Sequence, residues 1–577
     1  MPHDKWGSRD VADPTSPFHP FPTPFDQIDT QDGFSDQAPD HFSPPYSLQE
    51  IDMLALSYEI RQKPDWARKL RDSDIRTKWR AEALGKRNEE AGFAERTGEN
   101  YSGYDVEEVE RPKLTEKMVD YVLDELELHA EKLNDPHGIQ ASCFEGVYES
   151  DSLVPKELLD QLLARVSELE KNPPFGEPDW HPGSDDQVLD LVHPSLFPLR
   201  YGVTPVRQLD ADGKISSNAT PPEPRNALHS TSKKYQWLPS DFDVDEQGKV
   251  TISSYINNLH PKDHASFYPV LASIFERFVP AFERVLSDLQ KPPPRRILID
   301  HDVASAWYGE MPDNMSDEEW DEWEEKKVVQ LPEPEPFKRP EVSDDKPAFP
   351  LRGRKLQVIV KLANIHLTPE KPEYGGGVWH VEGMQNEEIV ASGIYYYDQE
   401  NIGESRLAYR GTFDDQELPY EQSDVKGVKT VFGIDPDGPC MQYYNSARTC
   451  AGRSLFWPNI YQHRVSRFSL ADRSKPGYRK ILVFFLVDPL KSAAGEVIST
   501  ARVPYQQREW AERELPHNAQ TDKMPVELWN QVLGGVEGLM TYEEAKKVRE
   551  DLMHERKFLV EENTEKVFER SFSLCEH

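Results

Sequence analysis

Residues 356–367 read LQVIVKLANIHL, and residues 479–488 read RKILVFFLVD. Both segments are rich in β-branched and aromatic residues, a composition that is typical of buried β-strands. Further short segments of the same kind, separated by Gly, Pro, Asn and Asp, lie at 387–398, 428–434, 453–458 and 463–470. Several short strands in succession, without helices between them, predict a barrel or a sandwich and argue against a Rossmann-type sheet.

The segments outside this strand-rich region carry apolar residues at helical spacing. This pattern predicts helices at 47–84, 114–134, 154–171, 264–289, 524–534 and 541–571, with a Pro/Gly/Asp-rich connector at 172–226. Because strands and helices occupy separate parts of the chain, the predicted class is α+β.

This pattern divides the chain into five regions. They are an extended or disordered arm at 1–46, a mainly helical region at 47–295, an acidic Pro-rich segment at 309–350, a β core made of 296–308 and 351–490, and a helical region at 491–577. The composition of 309–350 favours a solvated insertion or linker. An acidic docking segment is the alternative.

Charge and hydropathy disfavour two classes of binding partner, nucleic acids and membranes. The 577 residues include 67 Lys and Arg against 103 Asp and Glu, a formal charge of −36, which disfavours bulk nucleic-acid binding. The longest apolar run, 481–487, is far shorter than the roughly 20 residues of a membrane helix, so we expect no membrane partner. The N-terminus lacks the apolar core of a secretory signal, and the four cysteines are few and scattered. We therefore expect an intracellular protein, cytoplasmic or nuclear.

The segment GGGVWHVE at 375–382 carries the most informative motif. Two His-x-Glu triplets occur, His129-x-Glu131 and His380-x-Glu382. The first falls in a predicted helix, where residues two apart point to different faces. The second lies in extended sequence, where residues two apart share a face, so His380 and Glu382 can converge on one ion.

A third ligand has to come from elsewhere in the chain, and His463 at the start of a predicted strand is the candidate. Two imidazoles and one carboxylate form the facial triad that binds Fe(II) and leaves coordination positions open. The alternative for His380 is an ordinary core histidine beside Trp379. The glycine-rich segment before His380 and the presence of His463 on a later predicted strand favour the metal site over a core histidine.

A basic window lies close to these residues. Between Cys440 and Val487 there are eight Lys and Arg and one Asp, a local charge of +7. A chelating dianion such as 2-oxoglutarate needs a fixed cation for its far carboxylate, and Arg can bind it through two parallel hydrogen bonds. Arg479, on the last strand, is the first candidate, and the others are Arg467 and Lys361. Surface charges that balance acidic neighbours are the alternative for each.

The block KLAN…LTPEKP…WHVEGM at 361–384, with SSYINNLHP at 253–261 and HRVSRF at 463–468, resembles the fungal domain-of-unknown-function family 4246 (DUF4246). The resemblance runs from about residue 47 to beyond 500. That family carries no assigned reaction.

The order of the motifs also resembles, more distantly, the Fe(II)/2-oxoglutarate dioxygenases with a double-stranded β-helix core. This resemblance implies a cupin- or jelly-roll-like core, with His380, Glu382 and His463 as metal ligands and Arg479 as the partner of the co-substrate. Two features depart from the commoner pattern: the acid is Glu rather than Asp, although the JmjC-type branch also uses Glu, and Arg479 follows His463 at a longer interval than usual.

These expectations together describe a non-haem Fe(II) enzyme that uses 2-oxoglutarate and O₂ to hydroxylate or demethylate an unidentified small-molecule or peptide substrate. Four residues that flank the ligands are predicted to line the pocket, although core packing explains the aromatic ones about as well: Trp379, Tyr395, Tyr397 and Asn364. One rival is a cupin-like metalloenzyme that does not use 2-oxoglutarate. The other is a non-catalytic, protein-binding scaffold.

Overall fold

The computed structural model describes twelve stretches of the chain. They are 20–25, 44–85, 112–209, 215–224, 230–299, 307–308, 315–339, 347–415, 418–420, 424–435, 438–514 and 524–570. Most of the arm predicted at 1–46 and the last residue of the helix predicted at 541–571 lie outside these described residues.

The helices are numbered in chain order. They are α1 (Leu48–Arg61), α2 (Trp66–Leu70), α3 (Ser73–Gly85), α4 (Glu116–Glu131), α5 (Lys156–Lys171), α6 (Tyr268–Gln290), α7 (Asp317–Lys326), α8 (Val425–Phe432), α9 (Pro489–Ala494), α10 (Arg508–Glu514), α11 (Val526–Gly534) and α12 (Tyr542–Asn563), which a π-helical turn, Thr564–Phe568, continues. The predicted helices therefore match α1 to α6, α11 and α12 closely.

The strands before residue 300 are short. They are β1 (Gln140–Ala141), β2 (Tyr148–Ser150), β3 (Asp179–Trp180), β4 (Val188–Val192), β5 (Leu199–Arg200), β6 (Val206–Leu209), β7 (Ile215–Ala219), β8 (Tyr235–Gln236), β9 (Ser240–Val244) and β10 (Val250–Ile252). The later strands are β11 (Arg354–Leu367), β12 (Glu373–Tyr374), β13 (Ile389–Glu400), β14 (Ser405–Thr412), β15 (Met441–Thr449), β16 (Ser454–Pro458), β17 (Gln462–Val465), β18 (Phe468–Ser469) and β19 (Gly477–Val487).

Two antiparallel sheets organise the strand-rich half. The larger sheet has the order β1-β2-β16-β13-β19-β11-β4-β3, and β9 and β10 extend it from β11; the smaller sheet has the order β15-β14-β17. The inner face of the larger sheet packs against the smaller one: Ile359, Val483 and Phe485 share a core with Leu407 and Tyr409. The fold therefore combines helices with antiparallel sheets, which agrees with the predicted α+β class.

Helix α6 covers the outer face of the larger sheet. Its residues Phe278 and Phe282 lie against Phe456 of β16, with ring centroids 4.7 and 5.6 Å apart. Both faces of the central strands are therefore buried, which explains why β11 and β19 are apolar almost throughout rather than alternating.

Several sequence predictions need correction. The region 47–295 is mainly helical, as predicted, but β1 to β10 also lie within it, and β4 and β9 pair with β11. The connector 172–226 holds β3 to β7. These strands have two to five residues, which is too short for a periodic pattern to identify them. The described parts of 296–308 form no strand; Ile297 packs instead with the helices α1 to α4.

The segment 428–434 was predicted as a strand, and this is wrong. It belongs to α8, which begins at the N-cap Asp424, whose side chain accepts a hydrogen bond from the Gly427 N–H, and ends at Gly433 with φ +69°. Val428, Val431 and Phe432 then fall on one buried helical face. Capping residues therefore outweighed β-propensity. The segment 463–470 is also not one strand, because it is divided into β17 and β18.

Part of the acidic segment 309–350 packs back on the helical region. The ring of Phe337 lies edge-on to that of Tyr121 of α4, with the ring centroids 5.3 Å apart. Arg339 Nη2 lies 2.9 Å from Glu131 Oε1. Among the described residues, no helix is both long enough and apolar enough to span a membrane.

Gly393 of β13 allows α6 to approach the sheet. A Cβ atom there would lie 2.9 Å from ring atoms of both Phe282 and Phe456. We therefore expect Gly393→Ala to lower the stability by about 1–3 kcal/mol through overpacking, measured as a lower Tm. Gly534→Ala, where no atom lies within 4 Å of the added Cβ, is the control and should leave Tm unchanged or raise it. Equal Tm values for wild type and Gly393→Ala would contradict this account of the packing.

Candidate metal centre

His380 and His463 are joined through their backbones. The His463 N–H donates to the His380 carbonyl at 2.9 Å, and the His380 N–H donates to the His463 carbonyl at 3.2 Å, which forms an isolated antiparallel bridge. His463 lies on β17, next to Tyr409 of β14. The bridge therefore places two imidazoles, 83 residues apart in sequence, side by side, with ring centroids 4.4 Å apart.

Gly376, in the glycine run before His380, allows the chain to approach β17. The Gly377 N–H donates to the Val465 carbonyl at 2.9 Å. Gly376 has φ +89°, and a Cβ atom there would lie 2.9 Å from the same carbonyl oxygen. Any other residue at position 376 would suffer both backbone strain and a backbone clash, so this position requires glycine.

The carboxylate of Glu382 completes the cluster. Its Oε1 lies 3.3 Å from His463 Nε2 and 3.7 Å from His380 Nε2. The side chains of His463, Glu382 and His380 are 5%, 15% and 34% exposed. The three predicted ligands thus converge, as predicted, although Glu382 lies in a bend and not on a strand. The cluster is accessible to solvent from the His380 side.

The hydrogen bonds of His380 leave its other ring nitrogen free for a metal. Its Nδ1 lies 2.9 Å from the Val378 carbonyl oxygen, which can only accept, so Nδ1 carries the proton. In the neutral imidazole the lone pair is then on Nε2, which faces Glu382. A backbone carbonyl that fixes the tautomer in this way is the usual outer partner of a metal-bound histidine.

The protonation states also suit a cation. Burial raises the pKa of Glu382, but the neighbouring imidazoles of His380 and His463 outweigh burial and hold that pKa well below its usual range. Burial and the neighbouring His380 lower the pKa of His463, whereas Glu382 outweighs burial and raises the pKa of His380. The cluster therefore holds an ionised carboxylate and, at His463, a neutral imidazole, both of which are forms that bind a divalent metal, and a metal at His380 would displace the proton that Glu382 favours there.

Asn459, which the sequence analysis did not identify, fixes the backbone of Glu382. Its Oδ1 accepts from the Glu382 N–H at 2.9 Å, and its Nδ2 donates to the carbonyls of Glu382 at 2.9 Å and Ile389 at 3.0 Å. The side chain is almost fully buried. A single Asn after a strand gives no sequence pattern, so only the fold reveals this role.

The loop that follows Glu382 is held by Glu387, which is fully buried. Its carboxylate accepts from the backbone N–H groups of Met384 at 2.6 Å and Trp237 at 2.7 Å, and from Arg556 of α12 at 2.5 Å. A residue of the C-terminal helix thereby contacts the segment that carries the candidate metal ligand.

Arg479 is the buried cation that the sequence analysis favoured. It is 1% exposed, and its Nη1 donates to the hydroxyls of Ser405 at 3.0 Å and Thr449 at 3.3 Å. Its guanidinium carbon lies 4.3 and 5.3 Å from the ring centroids of Phe468 and Tyr396. No carboxylate among the described residues pairs with it, and its Nε has no partner there.

Other cations between Cys440 and Val487 are exposed or pair with acidic residues. Arg467 lies between β17 and β18 and is exposed. The strand that carries His463 ends before it, so Arg467 does not share the inner face with His463, as the predicted strand required. Other cations of the window pair with acidic residues: Arg453 with Asp151, Arg473 with Glu373, Lys475 with Asp472, and Lys480 with Glu170. Lys361 lies half-buried on β11, opposite Val483 of β19.

Three predicted pocket residues lie on the wrong face of the sheet. Asn364 donates to Glu170 of α5 at 2.7 Å and accepts from the Tyr397 hydroxyl at 3.2 Å. Tyr395 and Tyr397 belong to the outer core against the helices. Because side chains alternate along β13, Tyr396 faces inward in their place. Trp379, beside His380, has the guanidinium of Arg464 over its ring at 4.5 Å.

The interior between the two sheets contains polar atoms without partners among the described residues. They are the Tyr396 hydroxyl, the Tyr409 hydroxyl, Trp457 Nε1 and Ser392 Oγ. Buried polar groups in a native protein are nearly always satisfied, so these four atoms are available to contact a bound polar ligand or water.

A second cluster, which the sequence analysis also missed, consists of His181, Asp190 and His193. His181 Nδ1 lies 2.8 Å from Asp190 Oδ2. His193 Nδ1 accepts a hydrogen bond from the Ser195 N–H at 3.2 Å, so the proton of His193 is on Nε2. Unlike His380, His193 therefore presents a donor rather than a lone pair, and this cluster fits a hydrogen-bonded network better than a set of metal ligands.

Two family models match the chain. "Protein of unknown function (DUF4246)" covers residues 116–514, and "Domain of unknown function DUF4246, N-terminal" covers residues 4–82. The chain therefore belongs to the DUF4246 family. No curated protein matches the sequence.

Solved structures match only weakly. The Fe(II)/α-ketoglutarate-dependent dioxygenase TqaL is 11% identical, with 43% of this chain and 65% of TqaL covered and a TM-score of 0.21. IDO from Bacillus thuringiensis is 10% identical over 24% and 47%, with a TM-score of 0.16. A bsmA homolog from Methylobium petroleophilum is 11% identical over 59% and 87%, with a TM-score of 0.21. Similarity at this level carries no argument about the activity of this chain.

The two clusters give different predictions for metal binding. Anaerobic Fe(II) should raise the Tm of wild type, because a ligand present at a hundred times its Kd stabilises by about 2.7 kcal/mol. The rise should be absent in His463→Ala and retained in His181→Ala, each compared with its own metal-free sample. If the rise in Tm were lost in His181→Ala and kept in His463→Ala, the metal would bind at the cluster of His181, Asp190 and His193. The assignment of the metal to His380, Glu382 and His463 would then be wrong.

The hydrogen bonds between Asn459 and the backbone of Glu382 give a second prediction. Asn459→Ala should weaken Fe(II) binding by about 10- to 100-fold, the usual effect of losing an outer partner of a metal site. Anaerobic calorimetric titration measures this change, and circular dichroism confirms that the variant is folded. Asn172→Ala, at an exposed helix end, is the control. An unchanged Kd in folded Asn459→Ala would show that the backbone of Glu382 needs no such support.

Proposed function

We propose that this chain is a non-haem Fe(II), 2-oxoglutarate-dependent oxygenase of the hydroxylase or demethylase type. The observation that carries this proposal is the convergence of His380, Glu382 and His463, with the His380 tautomer fixed so that Nε2 is free. Two imidazoles and one carboxylate suit Fe(II) and provide no thiolate for a structural zinc site.

The strand order supports a double-stranded β-helix as the core. If β11 is taken as the first strand of a jelly roll, the His380 segment is the second, and the third to eighth strands are β13, β14, β15, β16, β17 and β19. The larger sheet then has the order 6-3-8-1, and the smaller has 5-4-7 with the second strand bridged to the seventh. This is the order expected of two interleaved Greek keys.

The three ligands would hold iron on one side and leave its other positions open. When bound, iron supplies the coordination of 2-oxoglutarate and O₂ and the oxidising power for attack on a C–H bond. The chain's own contribution is positional. The His463 bridge and Asn459 orient the ligands, and the apolar inner wall, including Ile394, Val483 and Phe485, keeps water from the reacting groups.

Arg479 supports 2-oxoglutarate as the co-substrate. A buried guanidinium without a carboxylate partner is costly by several kcal/mol, and a bound carboxylate would offset that cost. The guanidinium can bind such a carboxylate bidentately, while Ser405 and Thr449 hold its Nη1 in place. The unpartnered Tyr396 hydroxyl, on the same inner face, provides a further donor. A cupin-like metalloenzyme without 2-oxoglutarate would need the three ligands but would not require Arg479.

The proposal predicts separate effects for the two parts of the site. His380→Ala should abolish Fe(II) binding, because only two ligands remain. Arg479→Met should keep Fe(II) binding and raise the Kd for 2-oxoglutarate at least 10-fold, with partial recovery in Arg479→Lys. Anaerobic titration of 2-oxoglutarate into Fe(II)-loaded protein, followed by aerobic succinate detection, measures both steps.

The exposed Arg467 provides the matched control, and Arg467→Ala should bind 2-oxoglutarate as wild type does. The proposal fails if Fe(II)-loaded wild type does not bind 2-oxoglutarate; iron binding alone would then favour the cupin-like alternative. Absence of both would favour a non-catalytic scaffold. Loss of 2-oxoglutarate binding in Arg467→Ala but not in Arg479→Met would overturn the assignment of the cation.

A further inference from the structure

A cavity lies at the edge of the larger sheet, where β3 pairs with β4. It encloses about 50 Å³ and is bordered by the end of α5, the segment 173–179, the strand β4 and the more distant Asn258. Most of the lining side chains are apolar, among them Leu169, Phe175 and Leu191. None of the three candidate metal ligands lines it, so the cavity is separate from the candidate metal centre.

The charged side chains that line the cavity are all acidic among the described residues. They are Glu170, Glu177, Asp179 and Asp190. Three of these carboxylates have a cationic partner that does not line the cavity: Glu170 pairs with Lys480 at 2.7 Å, Glu177 with Lys546 at 2.8 Å, and Asp179 with Arg549 at 2.7 Å. These three are therefore explained as structural ion pairs, whereas Asp190 is not.

The carboxylate of Asp190 is only partly satisfied. Its side chain is 1% exposed, and its Oδ2 lies 2.8 Å from His181 Nδ1. The other oxygen, Oδ1, is buried and has no hydrogen-bond partner among the described residues. Arg549 Nη1 lies 3.9 Å from Oδ2, beyond hydrogen-bond distance, and both Nη atoms of Arg549 donate to Asp179. A buried carboxylate with an unused oxygen favours a ligand that can donate to it.

Size and charge narrow the class of that ligand. A volume of 50 Å³ holds about four water-sized groups of roughly 10–15 Å³ each, which is the number of non-hydrogen atoms in propylammonium. His193 also lines the cavity and carries its proton on Nε2, which would suit a hydroxyl group as the acceptor. The acidic lining decides for a cation, because a hydrogen bond between two ionised groups is roughly twice as strong as a neutral one.

We propose that this cavity binds the ammonium group of a small primary amine, with Asp190 Oδ1 as the principal acceptor. The apolar lining would contact the carbon chain of the amine. Glu177 and Pro178 are exposed, so one side of the cavity opens to solvent and a longer amine can extend from it. The inference does not depend on the proposed iron chemistry, since it uses none of the residues of that centre.

The probe is propylamine, which is propylammonium at neutral pH, and 1-propanol is its uncharged match in shape. Each is titrated into full-length protein at physiological ionic strength, where screening over about 8 Å weakens unspecific attraction to the acidic surface. The methyl NMR signals of isotope-labelled Leu191, assigned by their absence in Leu191→Met, report on the cavity. We expect a saturable shift with a millimolar Kd for propylammonium, and at least 10-fold weaker binding of 1-propanol.

Two variants change the site in different ways. Asp190→Asn keeps the shape of the side chain and removes its charge, so it should raise the Kd for propylammonium at least 10-fold. Leu189→Phe fills the cavity from a partly buried position without changing a charge, and it should have the same effect. Circular dichroism shows whether each variant is folded, and either folded variant is sufficient for the test.

Glu177→Gln is the matched control, because Glu177 lines the same cavity but is exposed and paired with Lys546. Its Kd should stay within threefold of wild type. The inference is overturned if propylammonium does not shift Leu191, if 1-propanol binds equally well, if Glu177→Gln weakens binding as much as Asp190→Asn does, or if a folded Asp190→Asn or Leu189→Phe binds as tightly as wild type. A saturable response of Leu191 to Zn(II) but not to propylammonium would assign the cluster to a metal instead.

Discussion

Two backbone hydrogen bonds between His380 and His463 hold the candidate centre together. They join the loop after β12, which carries His380, to the strand β17, which carries His463. The other contacts of the site lie around this junction. Gly376 has no side chain because the backbone of Val465 occupies the space, and Asn459 binds the next part of the loop at Glu382. The three candidate ligands are thus positioned by contacts of the main chain, which do not depend on an ion being bound.

The inner face of the larger sheet gives the site its electrostatic asymmetry. Arg479 at one end is fully buried and satisfied in part by hydroxyls, while Lys361, four residues away in register, is half-buried. The overall charge of −36 lies elsewhere in the chain, and acidic residues such as Asp151 and Glu170 pair with cations of the basic window. A strongly acidic protein can therefore present an interior that attracts anions.

The sequence predicted the helices α1 to α6, α11 and α12, the long strands β11, β13 and β19, and the three converging side chains, because each depends on local pattern or chain order. It could not predict which face a residue occupies without the register, and this is why Tyr395 and Asn364 were placed in the pocket while Tyr396 was missed. Asn459 and the His181–Asp190–His193 cluster depend on contacts between distant segments, which leave no periodic signal. The strand wrongly predicted at 428–434 shows that helix caps can outweigh β-propensity.

The contact between Glu387 and Arg556 has a consequence for where the functional unit ends. The main family match stops at residue 514, yet Arg556 lies on α12, beyond that boundary. A chain shortened to 514 would lose Arg556, the ion-pair partner of the buried Glu387 carboxylate, together with the helix that carries it. The range matched by the family model and the range of residues that pack around the candidate site therefore differ, because the last helix supports the loop that follows Glu382.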